Sequence, residues 1–232
     1  MGVTVTTRWK CRVAYEGTAF AGWQSQPGGN TVQDILEGRL ATLFGRRVVI
    51  HGSGRTDSGV HARGQVFHFD ADWPHGPEKL LRAFRSGIPA SIRVFEAQEA
   101  DPGFHARFSA RRKRYIYQFF EGYADPFEQR YFWSLGNRRL DDARVAAAAR
   151  RLIGRHDFSA FTSNPGEERD DDPVKDLQTL ALERDGPRLR LVAEADAFLF
   201  RMVRSLAGCL ADVGFGKLEP DEVGTILESR RR

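Results

Sequence analysis

Arg46-Arg47-Val48-Val49-Ile50-His51 runs into Gly52-Ser53-Gly54-Arg55-Thr56-Asp57-Ser58-Gly59-Val60-His61-Ala62-Arg63 and then into Gly64-Gln65-Val66-Phe67-His68-Phe69-Asp70. The outer segments, residues 46–51 and 64–70, carry the apolar alternation of half-buried strands. The segment between them is a loop of small, polar and charged residues, whose glycines allow tight turns and close approach to a ligand.

Working outward, residues 8–15 read as a strand, followed by a Gly-rich stretch over 17–30. A helix is predicted from Thr31, a residue suited to capping it, because Val32, Ile35, Leu36, Leu40, Leu43 and Phe44 recur at helical spacing. Residues 77–86 form a second helix with Leu80, Leu81 and Phe84 on one face, and residues 92–97 another strand. After a basic linker the alternation restarts. It gives a strand over 114–121, a helix over 141–153 ending at Gly154, and a hairpin of 174–182 and 189–194 turning at Asp185-Gly186. A final helix covers 198–213. Residues 162–173, rich in Asp, Glu, Pro and Gly, read as a solvent loop.

This order predicts an α+β fold of two similar halves, each a mostly antiparallel sheet with helices on one face. The boundary falls near residues 105–113, giving halves 1–106 and 107–232. The two halves are expected to meet along a central basic cleft, which the pattern itself does not specify.

The 232 residues, 41% hydrophobic and 28% charged, have the balance of a folded chain with ample core. The net charge is only +4, yet arginine far outnumbers lysine. Arginine's planar fork suits phosphate contacts and base stacking, although genome composition gives the same bias. Cys11 and Cys209 form no C-x-x-C pair, so neither a zinc site nor a disulfide framework is indicated. The first residues alternate like a strand rather than a signal peptide, and no apolar run is long enough for a membrane span. A cytoplasmic protein is the expectation.

Three segments are candidates for chemistry. The loop 52–63 packs Gly, Ser, Thr, Asp, Arg and His between two apolar strands, where a ligand can approach the backbone closely; the plainer alternative is a polar loop in which Asp57 caps a turn. No Gly-Lys-Ser/Thr follows, so a phosphate cradle is excluded, and His51, His61 and His68 lack metal-site spacing. Next, Arg107-Phe108-Ser109-Ala110-Arg111-Arg112-Lys113-Arg114-Tyr115-Ile116-Tyr117 interleaves cations with aromatics, as an RNA surface requires. The alternative is a solvated charge run entering an ordinary strand, with Tyr115 and Tyr117 on one face as core. Finally, Phe198-Leu199-Phe200-Arg201-Met202-Val203-Arg204 opens the last helix, placing Leu199, Val203, Leu206, Leu210 and Val213 opposite Arg201, Arg204 and Gly208.

Gly54-Arg55-Thr56-Asp57-Ser58-Gly59-Val60-His61-Ala62 resembles the signature of the tRNA pseudouridine synthase A family. Tyr15-Glu16-Gly17-Thr18-Ala19-Phe20-Ala21-Gly22-Trp23-Gln24, Thr31-Val32-Gln33, Phe104-His105-Ala106-Arg107-Phe108-Ser109-Ala110, Lys113-x-Tyr115-x-Tyr117, His156-Asp157-Phe158 and Met202-Val203-Arg204 are similar to it as well, in order along nearly the whole chain. Family members usually continue to a final strand with a Gly-Leu-Tyr-Leu-like motif, which this sequence does not show.

The resemblance implies isomerisation of uridine to pseudouridine in the anticodon stem-loop of tRNA, at positions 38, 39 and 40. No cofactor or metal is implied. Asp57 is then the catalytic nucleophile or base, Arg204 its ionic partner, and Tyr115 the ring stacked on the uracil. Arg55 fills space behind the flipped nucleotide or holds its phosphate. Arg107, Arg111, Arg112, Lys113 and Arg114 neutralise RNA phosphates, and a homodimer is expected. Two rivals are a non-catalytic RNA-binding module and an aspartate-based hydrolase or phosphotransferase. The second needs a divalent metal and another carboxylate, which the loop does not supply.

Overall fold

The computed structural model describes residues 6–163 and 172–231. The chain divides into two compact units, Met1–Ala110 and Arg111–Arg232. Both are α+β, and each packs its helices against a sheet.

The first unit contains β1 (Thr7–Tyr15), α1 (Val32–Phe44), β2 (His51–Gly52), β3 (Ala62–Ala71), α2 (Gly76–Arg85) and β4 (Ile92–Glu99). Its sheet has the order β2-β3-β1-β4, and every neighbouring pair is antiparallel. Alternation along β1 turns Trp9, Cys11, Val13 and Tyr15 to one face. There they share a core with Leu36 and Leu40 of α1 and Leu80 and Phe84 of α2. The Thr31 side chain caps α1 by accepting from Asp34 N at 3.2 Å, and Gly45, at φ 65°, ends it.

Residues 46–50 correct one expectation. Only His51 and Gly52 pair as a strand. Val48 and Ile50 are buried and Val49 is exposed, so the alternation is real. The main chain of Ile50, however, is served by a helix: its N–H donates to Glu37 Oε1 at 3.1 Å and its carbonyl accepts from Gln33 Nε2 at 3.5 Å. Period-2 burial arises here without a ladder.

The second unit contains β5 (Lys113–Phe120), β6 (Trp133–Ser134), α3 (Asp142–Leu152), β7 (Gly154–Asp157), β8 (Val174–Asp185), β9 (Arg188–Ala195), α4 (Met202–Gly214) and α5 (Glu222–Ser229). The sheet order is β6-β5-β9-β8-β7, antiparallel except for the β5-β6 pair. Phe119, Leu177 and Leu191 of the sheet meet Leu152 of α3, Leu206 and Leu210 of α4, and Val223 and Leu227 of α5 in a second core. Asp141 caps α3 through Ala143 N and Arg144 N. Arg184 ties the start of α3 to the end of β5, bonding both Asp142 and Glu121.

Three further expectations shift. The β8-β9 turn is Gly186-Pro187, one residue on from Asp185-Gly186. The helix predicted from residue 198 starts instead at Met202. Arg201 adopts a left-handed φ of 57°, and the Phe200 carbonyl accepts from Thr162 Oγ1 and Ser163 N instead of continuing a helical ladder. Leu199 is nonetheless buried, which extends the apolar period beyond the helix. The helix α5 has no counterpart among the predicted elements. Most of the loop predicted over 162–173, residues 164–171, lies outside the described residues. Among the described residues, no helix is long and apolar enough to cross a membrane.

Candidate active site

The loop between β2 and β3 carries Asp57, and main-chain atoms of the segment after β1 hold it. Trp23 N donates to Thr56 O at 3.0 Å, and Gly59 N donates to Phe20 O at 3.3 Å. Gly17 N donates to His61 Nδ1 at 2.9 Å, which makes that ring nitrogen an acceptor. Contact is too close for side chains at two glycines. A Cβ on Gly17 would sit 2.0 Å from Val60 O, and one on Gly22, at φ +100°, would sit 2.5 Å from Thr56 O. The third anchor is a hydrogen bond of 2.8 Å between the buried Tyr15 hydroxyl and Thr56 Oγ1. Trp23 lies beside Tyr15, with ring centres 5.9 Å apart.

On the β3 side, Ser53 N donates to Val66 O at 2.8 Å, Ser53 Oγ donates to Gln65 Oε1 at 2.9 Å, and Gln65 Nε2 donates to Gly54 O. Val60 N donates to Asp57 O at 3.1 Å, so Asp57 opens a tight turn. The Asp57 side chain is half-buried and Arg55 is exposed. Among the described residues of this unit, no hydrogen-bond donor or cation is paired with the Asp57 carboxylate. The loop therefore offers a carboxylate whose backbone is fixed and whose oxygens its own unit leaves unsatisfied.

In the second unit, β5 places Tyr115 and Tyr117 on the same face as Phe119. Tyr117 packs against the core, 5.1 Å from Phe119 and 6.3 Å from Trp133 between ring centres. Tyr115 is half-buried and meets Phe198 edge-on at 5.0 Å. Arg204, in the first turn of α4, is exposed. Its charge reaches Tyr117, whose hydroxyl is pushed above its ordinary pKa by burial and pulled back by the guanidinium. Tyr115, Tyr117, Phe198 and Arg204 thus belong to one neighbourhood.

The basic run is less uniform than the sequence implies. Arg111 and Arg112 are exposed and Lys113 is half-buried. Arg114 points to the opposite sheet face from Tyr115, 3.5 Å from Glu194 and 4.0 Å from Glu183. Arg107 lies in the first unit, on the turn after β4. His51 and His68 do come together, with His105 rather than His61, through ring contacts. No group of three or more His, Cys, Asp or Glu among the described residues is arranged to hold a metal ion. Sequence reasoning quoted Tyr15 and Phe198 within longer motifs but gave neither a role. Tyr15 closes an alternating strand and reads as core, so only its hydroxyl contact reveals it.

Known proteins resemble the chain along nearly its whole length. A family model described as tRNA pseudouridine synthase matches residues 12–109 and 148–232. The chain is similar to tRNA pseudouridine synthase A of Bacillus subtilis (strain 168), with 42% identity over 228 residues, 97% of this chain and 91% of that protein. It is also similar to tRNA pseudouridine synthase A of Chromobacterium violaceum, with 43% identity over 227 residues, 95% of this chain and 84% of that protein. The chain belongs to the tRNA pseudouridine synthase family, a family of isomerases that act on tRNA.

Proposed function

We propose that this protein isomerises uridine to pseudouridine in the anticodon stem-loop of tRNA, at positions 38, 39 and 40, with Asp57 as the catalytic carboxylate. The observation that carries this is the Asp57 loop, clamped by main-chain contacts yet presenting a carboxylate without a partner among the described residues of its own unit. The reaction breaks the C1′–N1 bond, turns the detached uracil and joins C5 to C1′. The C5 proton leaves and N1 gains one, so no electrons are exchanged and no cofactor is called for. Two roles are open to Asp57: covalent attack on the sugar or base, or removal of the C2′ proton to give a glycal. Both need the carboxylate ionised, and pairing with Arg204 would favour that form.

In this proposal Tyr115 stacks on the uracil and assists removal of the C5 proton. Arg55 occupies the space left by the extruded nucleotide or holds its phosphate. Extrusion costs a few kcal/mol, offset by stacking and by phosphate contacts from Arg107, Arg111, Arg112, Lys113 and Arg114. Arg114 is the weakest member of that set, because two carboxylates already flank it. The same reading carries halves 1–106 and 107–232, a basic cleft between them, a homodimer in which one tRNA touches both subunits, and action in the cytoplasm.

The test uses unmodified tRNA tritiated at C5 of uridine, in EDTA and without a methyl donor. Tritium release that vanishes in Asp57→Ala, with tRNA binding retained, is expected. A folded protein that binds tRNA and releases no tritium would leave an RNA-binding module in its place.

A further inference from the structure

Phe108 is 78% exposed, an unusual setting for a large apolar ring, and yet it is firmly held. His105 organises the turn around it. The His105 Nδ1 accepts from Arg107 N at 3.2 Å and from Phe108 N at 3.4 Å, while His105 N donates to Ser109 Oγ at 3.1 Å and Ser109 N donates to His105 O at 2.8 Å. The His105 ring lies 4.4 Å from that of Phe108, inclined by 32°, and 4.6 Å from that of His68. His68 in turn stacks on His51 at 5.0 Å, and its Nδ1 accepts from Ala106 N at 3.2 Å.

A ring nitrogen that accepts a backbone N–H carries no proton, so His105 and His68 are neutral imidazoles in this arrangement. Burial and neighbouring positive charge push His68 down to about 4, and the same causes lower His105. The exposed phenyl is therefore backed by two uncharged imidazoles, His105 and behind it His68. One cation lies beside it: the Arg107 guanidinium carbon is 5.9 Å from the Phe108 ring centre.

We infer that the Phe108 ring, backed by His105, is a stacking platform for one unpaired nucleobase of the RNA substrate, with Arg107 taking a phosphate beside it. A single flat ring with a guanidinium beside it matches a nucleotide, which pairs an aromatic face with a negative charge. This rests on the tRNA reading of the protein and adds a binding subsite to it.

The experiment measures the Kd for unmodified tRNA at one fixed salt concentration for wild type, Phe108→Ala, Phe108→Leu and Phe108→Tyr, with sedimentation velocity on each. Stacking on one base predicts a loss of about 5-fold to 100-fold in Phe108→Ala. Leucine, apolar but not flat, should lose as much as alanine, and tyrosine should bind within about 2-fold of wild type. An alanine variant that binds like wild type overturns the inference, as does a leucine variant that does. A changed oligomeric state with unchanged RNA affinity also overturns it, assigning the ring to a contact between copies. If wild type releases no tritium while the Phe108 series still orders as predicted, the catalytic reading falls and the platform stands.

Discussion

Gly22→Ala should disable the enzyme without unfolding it. Gly22 sits at φ +100°, where an L side chain is strained by about 1–3 kcal/mol, and its Cβ would meet Thr56 O at 2.5 Å. The obstacle is backbone, so it cannot swing aside as a side chain would. Ordinary contact needs at least 3.4 Å, and Thr56 must therefore retreat. A misplacement of about 1 Å at a reacting group costs on the order of 100-fold in rate. Gly59 provides the control. It lies in the same loop at φ +77°, but its Cβ would meet nothing within 4 Å, so Gly59→Ala adds strain without displacement. Thermal melts and single-turnover tritium release on both variants separate the two effects. Both should melt a few degrees early, and only Gly22→Ala should lose roughly 100-fold in rate. Equal rates in the two variants, or a wild-type rate in Gly22→Ala, would show that the main-chain clamp does not position Asp57.

Tyr15→Phe deletes the hydroxyl that meets Thr56 Oγ1. It should lower kcat several-fold and leave the KM for tRNA unchanged; a change confined to KM would refute the positioning role. His68 is 2% exposed, and its folded pKa of about 4 lies below the ordinary 6.5. The unfolded chain therefore takes up this proton first. Stability present above pH 6.5 is lost as the pH falls toward 4, by roughly 3 kcal/mol. Melting temperature against pH, compared with His68→Gln, should show this slope only in wild type. Gly38 is exposed within α1, with nothing within 4 Å of where a Cβ would stand, so Gly38→Ala should raise stability by about 1 kcal/mol with activity unchanged. Chemical denaturation would read the gain, and a loss would contradict the open space at that position.

Strands and helices with a clean period were legible in the sequence because burial alone dictates them. The alternation of Trp9, Cys11, Val13 and Tyr15 and the helical stripe that follows Thr31 are examples. Errors arose where burial and main-chain bonding part company. Val48 and Ile50 alternate like a strand, but side chains of α1 bond the Ile50 main chain. Leu199 keeps the helical period although the helix begins after Arg201. At the candidate site, Asp57, Tyr115 and Arg204 were named from the sequence through motifs that resemble a family, and their roles stay part of the proposal. The contacts of Tyr15 and Phe198 and the pairing of Arg114 with Glu194 were not legible, since each depends on which strand or turn lies alongside.

The two hydrophobic cores share no residue: one is built wholly from positions up to Ala97 and the other from Phe119 onward. A ribosome that has released residue 110 has therefore released every side chain the first core requires, along with a complete four-stranded sheet. The first unit can settle during synthesis, while Tyr115 and Arg204 have yet to emerge from the exit tunnel. The Asp57 loop is then assembled ahead of the residues proposed to work with it.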